Sequence, residues 1–300
     1  MENSNFLEFK KERDLGAIIT DTFKFIRENW KEYFKFMIKI IGPILLIGAA
    51  LLMFAVISYS SAAKGLLTLD QGDPSLFFSG FSGILGWAFI MMIVWGLVYT
   101  LLAEVSLYYV KSYIANNGVA NFDEVKQNTY KNIWKFIGLG IVSILIIFVG
   151  YVLCFLPSIY FSVVLFLGFS IMVFENKSVG DTISHCFKLI KNEWWNTFGV
   201  LIVLSILVGI LGIAFTIPSM IYQLISTGIF MNSEDPTAVL GLFDDPIYMA
   251  LTFLAYFGKF LFYSITLIAS AFIYFDLNEQ KNFTGTYEKI DSLGGTNSEE

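Results

Sequence analysis

Three polar side chains interrupt the long apolar runs of this chain: Glu104, Gln223 and Lys259. Such groups inside a membrane segment are costly and commonly mark ion, proton or substrate paths. Glu104 stands seven residues before Lys111, about 10 Å of helix. It could take up a cation or a proton, or pair with a Lys or Tyr near the interface. Lys259 is either functional or an interfacial group: if the last 20 or so residues before Asp276 form the membrane core, it lies about 5 Å from the outer edge and can snorkel. The depths of Glu104 and Lys259 then differ by about 15 Å, which argues against a direct pair. His185 falls on or beside the polar face of an amphipathic helix and reads as solvated. Asp235-Pro and Asp244-Asp245-Pro read as turn chemistry. Gly209 and Gly212 allow close helix approach, without GxxxG spacing. We find no nucleotide loop, nucleophile elbow or metal cluster. No catalytic, cofactor-binding or metal-ligating set is therefore expected, and the chain is not expected to be an enzyme.

The elements that carry these residues are membrane helices. The chain has 300 residues, 56% of them hydrophobic, with mean hydropathy +0.68. That exceeds the apolar content of soluble domains. The net charge of -6 argues against nucleic acid as a partner. Cys154 lies in an apolar run and Cys186 in an amphipathic one, so no disulfide framework is suggested. The opening MENSNFLEFKKERD is charged and lacks the apolar core of a secretory signal.

A spanning helix needs about 20 apolar residues. Candidates are Ile40 to Ala63, Ile84 to Val110, Phe198 to Ile221 and Tyr248 to Phe275. The uncharged stretch Phe136 to Phe174 would be about 58 Å as one helix, twice a hydrocarbon core. It is read as two spans folded back at Pro157, giving six. Eight Lys and Arg precede the first span, four lie in Lys111 to Lys135, three in Glu175 to Asn196 and two after the last span; the opposite side has Lys64. The positive-inside rule puts both termini in the cytoplasm and the loops near Asp70 and Asp235 outside. The expected location is the bacterial cytoplasmic membrane.

Two stretches repeat an amphipathic pattern. Leu15 to Met37 and Val179 to Leu201 agree at seven of 23 positions, including Gly16 with Gly180, Trp30 with Trp194 and Phe34 with Phe198. In the first, Leu15, Ile18, Ile19, Phe23, Ile26, Trp30, Phe34 and Met37 recur at spacings of mostly three and four, one helix face. Asp14 is its expected N-cap. A weaker relative, NFDEVKQNTYKNIWKFIG, begins at Asn121 with a capping-box pattern. The expected architecture is all-α and polytopic: six spans in three pseudo-repeats (about 14–111, 121–175 and 178–276), each preceded by a cytoplasmic interfacial helix. Trp30, Trp134 and Trp194 are the expected interfacial anchors. Residues 1–280 read as one membrane domain and 281–300 as a flexible cytoplasmic tail, being Gly-, Ser-, Thr- and acid-rich.

The stretch PSIYFSVVLFLGFSIMVFENKSVGDTISHCFKLIKNEWWNTFGVLIVL resembles the membrane region found beside some bacterial glycerophosphodiester phosphodiesterases. It is also similar to stand-alone bacterial membrane proteins of uncharacterised role. The shared features are the Pro-centred hairpin, the acidic Glu175 at a span end, the SVG helix entry and the aromatic N-x-W-type helix end. The likeness is clearest over Leu156 to Leu211, with an echo at Leu15 to Met37. It implies a membrane module; no phosphodiesterase activity carries over, because that activity belongs to a separate soluble barrel with His and acidic metal ligands. The leading expectation is a non-catalytic module contacting membrane lipids or a membrane or cytoplasmic protein partner. The alternative is a small transporter or flippase for an amphiphilic, lipid-like substrate.

Overall fold

The computed structural model describes residues 6–67, 74–226 and 241–294. Nine α-helices are described: α1 (Leu15–Leu67), α2 (Pro74–Ala115), α3 (Phe122–Leu153), α4 (Phe155–Phe166), α5 (Gly168–Glu175), α6 (Val179–Ile190), α7 (Trp194–Ser226), α8 (Pro246–Asn282) and α9 (Thr284–Gly294), with a 3-10 turn at Leu242–Asp244. No strand occurs among the described residues. Six stretches are long and apolar enough to cross a membrane: Leu15–Gly65, Gly80–Ala115, Phe122–Leu153, Phe155–Glu175, Trp194–Ser226 and Pro246–Asn282. The fold is therefore all-α with six candidate spans. The loops around Asp70 and Asp235 lie outside the described residues.

Side-chain oxygens start several helices by accepting otherwise unpaired amide N–H groups. Asp14 Oδ1 accepts from Ala17 N at 2.7 Å. Asn121 Oδ1 accepts from Asp123 N and Glu124 N at 3.0 and 3.2 Å. Ser178 Oγ accepts from Asp181 N at 3.3 Å. Asp245 Oδ1 accepts from Ile247 N at 2.8 Å, with Pro246 opening α8, where its missing N–H costs nothing.

Several expectations change. The hairpin between α3 and α4 turns at Cys154, which is extended at φ -175 and ψ 149, and not at Pro157. Pro157 is the third residue of α4, where a helix has no hydrogen bond for its N–H to make. The hairpin closes tightly at Gly150: a Cβ there would lie 2.8 Å from the Phe161 ring and 3.1 Å from Ser158 N. Second, the amphipathic stretches at Leu15 and Phe122 run into the following span as α1 and α3 without a break. Only the stretch at Val179 is set apart, by a turn in which Asn192 has φ 73. Third, the tail is helical over α9. Glu279 accepts from Gly285 N at 2.6 Å and Thr286 N at 2.9 Å, and Lys289 pairs with Glu8 at 2.6 Å. Composition could not reveal these long-range ties.

The expected single domain forms two compact units. The first comprises Met1–Ile41, Thr100–Leu207 and Ser264–Glu300; the second comprises Gly42–Tyr99 and Val208–Tyr263. In the first unit, α2 from Leu101 to Val110 and α8 from Leu267 to Glu279 are buried on every side. The N-terminal segment closes onto them. Phe9 stacks on Phe272 at 4.3 Å, Leu7 N donates to the Tyr113 hydroxyl at 3.1 Å, and the buried Arg13 lies over Phe272 while its Nε donates to Asp21 at 2.9 Å. The buried face of α1 here is Ile18, Thr22, Phe25, Tyr33, Phe36 and Met37. It shares Ile18 and Met37 with the apolar stripe expected to face the interface, whose Leu15 and Trp30 are exposed. In the second unit, Trp95 packs against Phe260 at 4.6 Å, and Lys64 pairs with Asp244. Leu46, Ile47, Phe54, Phe78, Phe89, Ile210 and Leu254 of this unit are exposed.

Candidate functional site

One face of α2 in the first unit carries a polar residue at every fourth position: Thr100, Glu104, Tyr108 and Ser112. Residues four apart stack on one helix side about 6 Å apart along the axis. The face packs against α3. A Cβ on Gly140 would meet Thr100 Oγ1 at 3.3 Å, and Asn132 donates to the Tyr108 hydroxyl at 2.8 Å. At the Ala115 end, Ser112 donates to Glu124 Oε2 at 2.6 Å and accepts from Asn121 N at 2.9 Å. Three of the four groups are thus placed against α3 or its N-terminus. Glu104 differs: it is 0% exposed, and neither carboxyl oxygen meets a hydrogen-bond partner.

Lys259 and Gln223 belong to the second unit, so the three polar candidates are not one constellation within a unit. The Lys259 ammonium lies 5.4 Å from the centre of the Tyr256 ring, and its stem runs beside Gly212, whose Cβ would be 3.6 Å away. A tighter fit is found at Gly258, where a Cβ would fall 2.2 Å from the Phe215 ring.

A second cluster lies where α5 meets α6, and sequence reading treated its members separately. The Glu175 carboxylate accepts from the Tyr274 hydroxyl at 3.0 Å and pairs with Lys177. His185 Nδ1 lies 2.8 Å from Lys177 Nζ. An ammonium can only donate, so Nδ1 accepts and Nε2 carries the proton. Nε2 is 3.2 Å from Glu175 Oε1, but the angle is too poor for a hydrogen bond. Burial, with Lys177 and Lys188 nearby, lowers the His185 pKa from its ordinary value, against the opposing pull of Glu175. An open cleft of about 200 Å³ is lined by Lys177, Asp181, Ser184, His185 and Lys188. Lys281 Nζ closes the far end of α6 by donating to the carbonyls of Lys188 and Lys191, both at 2.9 Å, where a cation also suits the helix dipole. Glu175 at a span end was the legible signal; its meeting with His185 needed the fold. Burial pushes the Cys186 thiol up to about 12, so it is no ready nucleophile.

The tryptophans differ in setting. Trp30 is 50% and Trp134 79% exposed. Trp194 is half-buried, stacked on Tyr160 and Phe198, while its neighbour Trp195 is exposed. No group of three or more His, Cys, Asp or Glu side chains is placed to hold a metal ion among the described residues. No family model matches this chain, and no curated protein and no solved structure matches it.

Proposed function

We propose that this protein is a non-catalytic integral membrane module of the bacterial cytoplasmic membrane, with both termini cytoplasmic, that works by contact with lipids or a protein partner. The observation that carries this reading is the band of exposed large apolar side chains in the second unit, such as Leu46, Phe54, Phe89 and Ile210. A patch of that kind requires a lipid or protein cover. The Lys and Arg distribution supports the orientation. Exposed Trp30 and Trp134 support interfacial anchoring at two of three pseudo-repeats; Trp194, packed on Tyr160, supports it least. The likeness to modules beside glycerophosphodiester phosphodiesterases fits a non-catalytic role.

A second reading, a small transporter or flippase for an amphiphile, is favoured by one observation: an acid, Glu104, sits unpaired inside a candidate span. Affinity purification in mild detergent, with mass spectrometry of proteins and lipids, separates the two. Stoichiometric lipid or a specific partner is the expected result. Recovery of the chain without either, together with movement of a labelled lipid across reconstituted vesicles, contradicts it.

A further inference from the structure

Among the described residues, Glu104 is the carboxyl group of the first unit's core with both oxygens left without local compensation. Both oxygens are buried and unpartnered, and the residues around it on α2, Leu101 to Val110, are buried on every side. An isolated carboxylate buried in this way is prohibitively costly, and the group neutralises instead. A divalent cation is a poor alternative, since calcium takes six to eight oxygen ligands and magnesium six, and no metal-holding group of His, Cys, Asp or Glu accompanies Glu104 among the described residues.

The charged and titratable groups on the surrounding elements are engaged elsewhere. On α2 itself, Lys111 donates to the Val173 carbonyl of α5 at 2.6 Å, and Tyr109 points to Glu32 of α1. Tyr33 of α1 pairs with Ser106 at 2.6 Å. On α3, Tyr130 donates to the Ile40 carbonyl, and Glu124 accepts from Ser112 and Asn116. Glu175 of α5 is held by Tyr274 and Lys177, and Asp276 of α8 accepts from Arg13 N at 2.7 Å. Tyr108, one turn from Glu104, is the titratable group on its own face, and its hydroxyl is held by Asn132.

We propose that Glu104 is a proton-binding site: a neutral carboxylic acid sealed in the first unit, which exchanges its proton with the Ala115 end of α2 along Tyr108 and Ser112. The hydroxyls at positions 108 and 112 can both donate and accept and are spaced one helical turn apart; beyond them the Glu124 carboxylate of α3 accepts from Ser112. The carboxyl loses its proton only when water or a cation reaches it. Any opening of this core therefore releases one proton, and closing takes one up. This holds whether the module transports or only binds lipid.

Infrared spectroscopy of the full chain in vesicles of phosphatidylethanolamine and phosphatidylglycerol tests the site. At neutral pH the wild type should show a carboxylic acid C=O stretch that is lost in Glu104→Gln. That band should shift to lower frequency in D2O, and Tyr108→Phe should slow the shift. Because Gln matches a neutral acid in shape and charge, Glu104→Gln should also fold and unfold at an unchanged temperature. Wild-type and Glu104→Gln spectra that coincide in this region overturn the proposal. So does a Glu104→Gln chain that fails to fold or unfolds at a much lower temperature. An unchanged exchange rate in Tyr108→Phe overturns the route. None of these outcomes depends on lipid or partner recovery, so the proposed function stands or falls separately.

Discussion

The two units solve the burial of apolar side chains in different ways. In the first, α2 from Leu101 to Val110 and α8 from Leu267 to Glu279 are covered on all sides by protein, as in the core of a soluble domain. Their polar groups are mostly paired inside it, as Ser170 is with Ser270 at 2.8 Å. In the second, buried side chains are few and often small, such as Ala55 and Ala255, and large ones such as Phe54 and Ile210 stay exposed. Lipid tails are as apolar as Leu, so helices in a bilayer gain little by hiding such side chains from one another. The difference teaches that hydrophobicity alone does not say what covers a residue. Phe25 and Phe54 lie in one helix, α1, yet Phe25 is 0% and Phe54 60% exposed.

This contrast can be broken most forcefully by truncating one large side chain in each unit. Phe272→Ala removes a fully buried ring that stacks on Phe9 and lies beneath Arg13. It should cost about 3–5 kcal/mol, read as a lowered thermal unfolding temperature in detergent. Ile210→Ala, at a side chain that is 60% exposed, should change stability by no more than about 0.5 kcal/mol. Equal losses would erase the distinction.

Adding a methyl group probes the same contrast from the other side. Gly150→Ala forces Cβ against Phe161 and Ser158 N in the α3–α4 hairpin and should cost about 1–3 kcal/mol. Gly209→Ala meets nothing within 4 Å and should be neutral or slightly stabilising, since it removes a helical glycine.

Smaller again is the C-terminal cap. Glu279→Ala removes the acceptor for Gly285 N and Thr286 N, a loss of about 0.5–2 kcal/mol for a capping group. Hydrogen exchange should accelerate at those two amides and through α9. Unchanged protection would mean that the tail is held by other contacts.

The smallest effect expected is a pH dependence at His185. Its pKa is lowered in the folded chain from an ordinary value of 6.5, so the folded state binds its proton less well than the unfolded one. Its share of stability is complete above about pH 6.5 and is lost as pH falls through the folded value. Unfolding followed from pH 8 to pH 5 should show a steeper acid loss in the wild type than in His185→Gln.

Much of this arrangement is legible in the sequence. The six candidate spans follow from length and apolar runs, and Asp14 and Asn121 announce their helices because capping is local chemistry. Glu104 is visible as a charge in an apolar segment. What its helix face packs against is not, because Asn132, which meets Tyr108, and Gly140, which meets Thr100, come from a different helix. The face of α1 that packs on protein is not legible, because two of its members, Thr22 and Tyr33, carry hydroxyls. The fold pairs Tyr33 with Ser106 and Thr22 with the Ile18 carbonyl. Helix α9 was missed because its anchors, Glu8, Lys10 and Glu279, lie far off in sequence or in another helix.

The claim that lipid covers the second unit while protein covers the core of the first is tested most directly by brominated-lipid quenching. Single tryptophans would be placed at Phe54 and at Phe25, each in a background with all six native tryptophans replaced by phenylalanine. Emission from position 54 should be strongly quenched and that from position 25 nearly untouched. Equal quenching at the two sites, or quenching confined to position 25, would contradict the assignment of lipid to the second unit.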